Sequence, residues 1–150
     1  MQSTALPVRN AAEIGDTIER FANTPNGGLL VVPSILTSVH REPIAALAAK
    51  YRVPAVYAYR YYVTSGGLAS YGVDVPTQYR GAASYVDRIL RGERPAELPV
   101  QFATKFELVI NLKAAAALGL DIPASLLART DEVIEERILC CDCSRPRVAH

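Results

Sequence analysis

Between Ser34 and Asp74 the chain gathers side chains whose types and spacing suit the capture of a small solute. Ser34, Thr37 and Ser38 follow a short apolar run, and there hydroxyls and the free amides of a starting helix can receive a carboxylate or an amide. Tyr59, Arg60, Tyr61 and Tyr62 follow a second apolar run and combine stacking faces with a permanent cation. Further on stand Tyr71 and Asp74, the latter able to accept from a ligand amine. The candidate ligand-binding set is therefore Ser34, Thr37, Tyr59, Arg60, Tyr71 and Asp74. Each also has a plainer use. Ser34 and Asp74 stand where helix caps stand, as does Asn111, and the tyrosines can simply pack.

Chemistry of bond making is not indicated. His40 and His150 are the only histidines, and His40 beside Arg41 and Glu42 reads as a helix start. No Gly-x-Ser-x-Gly elbow, phosphate-binding Walker loop or His-Glu-x-x-His helix occurs. Gly66, Gly67 and Gly72 lack the spacing of a dinucleotide fingerprint, so no cofactor is expected. The 3 cysteines, Cys140, Cys141 and Cys143, offer one ligand too few for a closed metal site unless His150 folds back, and no metal is expected. Arg145 and Arg147 without a wider basic stripe do not point to nucleic acid. The reading is a binding protein and not an enzyme.

The elements that must position these residues follow from periodicity. Ile14, Ile18 and Phe21 recur at helical spacing and predict a helix over Ala11 to Ala22. Leu29 to Pro33 does not alternate and predicts a strand covered on both faces. Ser34 to Ser38 reads as a polar loop before a helix carrying Ile44, Leu47 and Ala48, and Val53 to Tyr57 as a second parallel strand. Tyr57 to Gly72 reads as a strand-end loop, the usual ligand position in open α/β sheets. Asp74 and Pro76 open a long helix with an expected core face of Tyr79, Ala82 or Ala83, Val86, Ile89 and Leu90, ending at Gly92. Pro99 to Phe102 and Phe106 to Ile110 predict two more strands, Asn111 caps a helix over Leu112 to Leu118, and a last helix is expected from Ser125 to about Leu139. The 150 residues, 50% apolar and 21% charged with net charge +1, suffice for one α/β domain and fit neither a polyelectrolyte nor a disordered chain. No window approaches a membrane span, and the opening residues lack the basic and apolar regions of an export signal.

Ordered blocks carry a resemblance. They are Pro25-Asn26-Gly27-Gly28-Leu29, then His40-Arg41-Glu42 with Ile44-Ala45-Ala46-Leu47-Ala48, then Val53-Pro54-Ala55-Val56-Tyr57. Gly66-Gly67-Leu68 with Ser70-Tyr71-Gly72-Val73-Asp74 follows, then Tyr85-Val86-Asp87-Arg88-Ile89-Leu90 with Gly92, then Leu98-Pro99-Val100-Gln101. Lys105-Phe106-Glu107-Leu108-Val109-Ile110-Asn111-Leu112-Lys113 closes the series before Ala117-Leu118-Gly119. From Pro7 to Glu135 the chain thus resembles the carboxyl-terminal portion of the solute-binding proteins of ABC transporters, in the group of tryptophan or tyrosine transport-system binding proteins.

The resemblance implies a partial type I periplasmic-binding-protein-like fold, flavodoxin-like and layered α/β, from a bilobal protein that closes over a small amino acid-like solute. In it the Leu29 to Tyr57 units belong to the second lobe and the Tyr79 to Leu90 helix returns to pack in the first. Residues 1–135 are the part shared with the family, and residues 136–150 form an atypical tail that is expected to be flexible. Family members carry an export signal and most of a first lobe ahead of this region. The resemblance therefore implies a periplasmic location and an ABC permease as partner, while the missing signal leaves a cytoplasmic location open. The alternative is a truncated interaction module that no longer binds solute and self-associates, as a homo-oligomer, through surface that a first lobe would cover.

Overall fold

Asn10 caps the first helix by accepting from the Glu13 amide at 3.0 Å, and Ile14, Thr17 and Ile18 form the buried face of α1 (Ala11–Ala22). This is the first element of a computed structural model that describes residues 3–135. The chain continues through β1 (Leu29–Val31), α2 (Ile35–Val39), α3 (Arg41–Lys50), β2 (Ala55–Tyr57), α4 (Arg60–Thr64) and β3 (Ala69–Val73). It then leaves the sheet as α5 (Val75–Leu90), passes a 3-10 turn at Pro95–Glu97, and returns through β4 (Phe106–Asn111), α6 (Leu112–Leu118), α7 (Ala124–Leu127) and β5 (Glu132–Ile134).

The five strands lie in the order β1-β2-β3-β4-β5. The first three are parallel, β4 runs antiparallel to β3, and β5 is parallel to β4. Helices α1, α3 and α4 cover one face. There Ile14, Ile18, Ile44 and Ala48 pack with Ala55, Tyr57 and Tyr62, and Leu29 and Val31 join them. Alternation along the strands sends Leu30 and Val56 to the opposite face, where Leu30 is 74% exposed. The expectation that Leu29 to Pro33 is covered on both faces is therefore corrected, since only the Leu29 and Val31 side is packed.

Further expectations change. Ser34 to Ser38 is not a loop, because Ser34 and Thr37 form a capping box that starts α2. The segment after Tyr57 is not one long loop but contains α4 and the central strand β3. Pro99 to Phe102 forms no strand, and Val100 and Phe102 are each 86% exposed. The helix expected from Ser125 to Leu139 ends at Leu127, and the chain turns at Thr130 and Asp131 into β5. Its last residues, the tail 136–150 and the cysteine and His150 ligands considered for a metal lie outside the described residues.

The helix from Val75 to Leu90 forms as expected, with Pro76 in its first turn and Asp74 accepting from the Thr77 amide. Its apolar face does not form core. No residue of α5 is buried, and Tyr79, Val86, Ile89 and Leu90 are all exposed. The side that packs carries Thr77, Gly81, Tyr85 and Arg88; Tyr85 donates to the Pro99 carbonyl, and Arg88 pairs with Glu93.

Candidate functional site

The carboxyl ends of β1, β2 and β3 open on one edge of the sheet, and antiparallel β4 begins there as well. Along this edge the chain delivers Ser34, Thr37 and Ser38 after β1, Tyr59, Arg60 and Tyr61 after β2, and Asp74 after β3. Lys105 and Glu107 arrive at the start of β4, and Glu132 opens β5.

Ser34 and Thr37 serve their helix first. Ser34 Oγ accepts from the Thr37 amide at 3.1 Å, the Ser34 amide donates to Thr37 Oγ1 at 2.9 Å, and Thr37 Oγ1 lies 3.1 Å from the Val32 carbonyl. Ser38 instead reaches across, its Oγ 3.1 Å from the Tyr61 hydroxyl, and joins the end of β1 to the end of β2. Tyr61 stacks between Tyr59, at 5.3 Å between ring centres, and Tyr62, at 4.8 Å; Tyr62 stacks in turn on Tyr57 at 4.9 Å. Four rings thus run from the core to the edge. The inner two are buried, and both hydroxyls lack a hydrogen-bond partner, as does Ser70 Oγ. Burial, with Tyr62 adding, pushes the Tyr57 phenol up to about 12.

The charged groups are paired with one another. Arg60 grips Glu132 in a two-pronged contact, Nε to Oε2 at 2.7 Å and Nη2 to Oε1 at 2.6 Å. Lys105 donates to Asp74, whose second oxygen accepts from the Thr77 amide. The Lys105 ammonium, then the Thr77 amide, hold the Asp74 carboxyl below the usual carboxylate range. Arg60 does the same for Glu132. Between the pairs, burial and then the charge of Asp74 raise the Glu107 carboxyl. Tyr71 departs from the group. It points to the open sheet face, 62% exposed, and stacks on Phe106 at 5.9 Å.

Of the sequence-predicted set, Ser34, Thr37, Tyr59, Arg60 and Asp74 share one edge and Tyr71 does not. Sequence reasoning missed Glu107, and with it Lys105 and Glu132, which supply one partner to each of the two ion pairs at this edge. Their signal lay in the strand β4 beginning beside Asp74, a pairing that no local spacing reveals. A groove of about 560 Å³ opens beside Asp74 and Lys105, between α5 and the segment from Pro99 to Thr104.

The model of the ABC transporter substrate binding protein family matches residues 2–134, and the chain belongs to that family. Three solved structures are similar. A conserved domain protein of Vibrio cholerae O1 biovar eltor is 30% identical, with a TM-score of 0.72 over 83% of this chain and 42% of that one. An ABC domain from Streptococcus pneumonia, solved in complex with L-Trp, is 25% identical, with a TM-score of 0.75 over 85% of this chain and 43% of that one. A ligand-free, open substrate-binding protein with adhesive properties from Clostridium difficile, 19% identical with a TM-score of 0.63 over 86% of this chain and 43% of that one, shares the fold. The chain spans less than half the length of each. Comparison with curated proteins returns no match.

Proposed function

We propose that this chain is the solute-binding component of an ABC uptake transporter, or a fragment of one, and that it holds a small amino acid-like solute without converting it. One observation carries the reading. In a chain of this family, the loops after three parallel strands bring hydroxyls, stacked tyrosines and an arginine to a single sheet edge. The similar Streptococcus pneumonia domain was solved with L-Trp, which supports an aromatic amino acid as the first solute to try.

Arg60 and Asp74 suit the two ends of such a solute, and each is already satisfied by a side chain of this lobe. A carboxylate would compete with Glu132 for Arg60, and an ammonium would compete with Lys105 for Asp74. Contacts to a second lobe would then favour the closed state, the form that a permease on the periplasmic side recognises. A second reading, an interaction module without solute, is favoured by α5, whose apolar face nothing covers among the described residues.

Calorimetric titration of the 150-residue chain with L-Trp, L-Tyr and the other amino acids tests the first reading. Micromolar binding that weakens in Arg60→Ala supports it. A folded chain that takes up none of the panel at millimolar concentration overturns solute binding by this chain.

A further inference from the structure

Asp74, Glu107 and Glu132 bring three carboxylates to the strand-end edge, and only two cations meet them. Asp74 has Lys105 and Glu132 has Arg60, while Glu107 has no cation and no hydrogen-bond donor among the described residues. Asp131, at the start of the neighbouring strand, is engaged by the Leu108 amide at 2.7 Å and offers Glu107 no relief. Burial and then the charge of Asp74 raise the Glu107 carboxyl, Glu132 adds to this, and Arg60 and Lys105 act against it.

Glu107 stands directly opposite Gly72 in the register of β3 and β4, so the two share a face of the sheet, and a Cβ on each would lie about 5 Å apart. The Ala58 carbonyl oxygen takes the place of the missing Cβ, 1.8 Å from where it would be. Among the described residues that oxygen accepts no backbone hydrogen bond. A carboxylate and a carbonyl oxygen therefore stand side by side with no donor between them, an arrangement completed by a donor that carries positive charge.

We propose that Glu107 and the Ala58 carbonyl oxygen form an ammonium subsite, through which the edge selects solutes that carry a primary amine. The subsite belongs to the solute-binding reading proposed above and stands or falls with it. An ammonium directed to Asp74 has to displace Lys105; at Glu107 it displaces nothing and neutralises the excess charge. Its three N–H donors can serve the carboxylate and the carbonyl at once, leaving Arg60 to the carboxylate end of the same solute. An ammonium beside Glu107 favours the ionised carboxylate, so uptake in mild acid passes a proton from that carboxyl to the buffer.

The test is calorimetric titration of the 150-residue chain with L-Trp and with indole-3-propionate, which lacks the amine. Wild type should bind L-Trp at least about tenfold more tightly than indole-3-propionate, and Glu107→Gln should remove the difference by weakening L-Trp alone. In two buffers of different ionisation enthalpy at about pH 5, wild type should release protons on taking up L-Trp. L-Trp binding that Glu107→Gln leaves unchanged, or uptake by wild type with no proton released, overturns the subsite and leaves solute binding standing. Equal weakening of both probes by Glu107→Gln overturns it as well, because the whole edge is then disturbed. A folded chain that takes up neither probe nor any other amino acid overturns the solute-binding reading and the subsite together.

Discussion

Arg60 and Glu132 lie 72 residues apart in the chain and meet through two parallel hydrogen bonds, so the first turn of α4 is fastened to the first residue of β5. The pair links an early crossover to the last strand across the sheet edge. Both side chains are partly exposed, 49% and 40%, so water screens much of their attraction. Arg60→Ala should cost about 0.5 to 1 kcal/mol at neutral pH. Glu132 has its folded carboxyl value lowered, so its contribution is complete above the unfolded carboxylate value. It fades as pH falls through the lowered folded value. Urea denaturation of wild type and variant at neutral and acid pH should show the difference shrinking in acid.

Gly72 is fixed by a neighbouring backbone. A Cβ there would lie 1.8 Å from the Ala58 carbonyl oxygen, and the end of β2 would have to part from β3. Gly72→Ala should destabilise by about 3 kcal/mol or fail to give soluble protein. Gly15→Ala is the control. Nothing lies within 4 Å of a Cβ at that position inside α1, and the substitution should stabilise by about 1 kcal/mol. Urea midpoints of the two variants should move in opposite directions.

Tyr57 buries a hydroxyl that bonds to nothing. Tyr57→Phe keeps the ring on Tyr62 and removes the unpaired group, so stability should stay level or rise by up to about 1 kcal/mol. The phenol is raised to about 12 in the folded chain. Its contribution is therefore complete below the unfolded value near pH 10 and is lost as pH climbs toward 12. Absorbance titration at alkaline pH should show one late tyrosine that Tyr57→Phe removes.

Asn111 ends β4 and starts α6 with one side chain, accepting from the Ala114 amide at 3.0 Å while 8% exposed. Asn111→Ala should cost about 1 kcal/mol, and Asn111→Asp should retain most of the cap. Thermal melts of the two variants would separate loss of the cap from loss of packing.

Elements with a strong local signal were legible in the sequence. Asn111 as a cap, the periodic stripe of α1 and the apolar run of β4 all form where their residues predict. Short elements were hidden because tertiary contacts make them. The capping box of α2 uses Thr37 where Glu or Gln would have been the clearer signal. β3, written Ala-Ser-Tyr-Gly-Val, has little strand propensity and exists because β2 and β4 flank it. β5 falls inside the span that predicts a helix from Ser125; the Asp131 carboxylate accepts from the Leu108 amide at 2.7 Å and the chain enters the sheet instead. Periodicity also showed that α5 is amphipathic without saying which way its stripe would face. At the site, Ser34, Thr37, Tyr59 and Arg60 follow strand ends that the sequence shows, and Asp74 stands at a legible helix start. Their partners Lys105 and Glu132 come from distant segments and have no such signal.

The excursion that carries α5 begins and ends at a single clasp, where Asp74 meets Lys105 across 31 residues of sequence and the Asp74 amide donates to the Lys105 carbonyl at 3.1 Å. In polymer terms it is a closed ring hung on a sheet whose strands do not need it. Its removal and replacement by a tight turn between β3 and β4 would leave every strand pairing in place and lower the loop-closure entropy of folding. The helix is an insertion at a hairpin position, and the clasp of Asp74 and Lys105 lets it extend from the sheet without disturbing the register of β3 and β4.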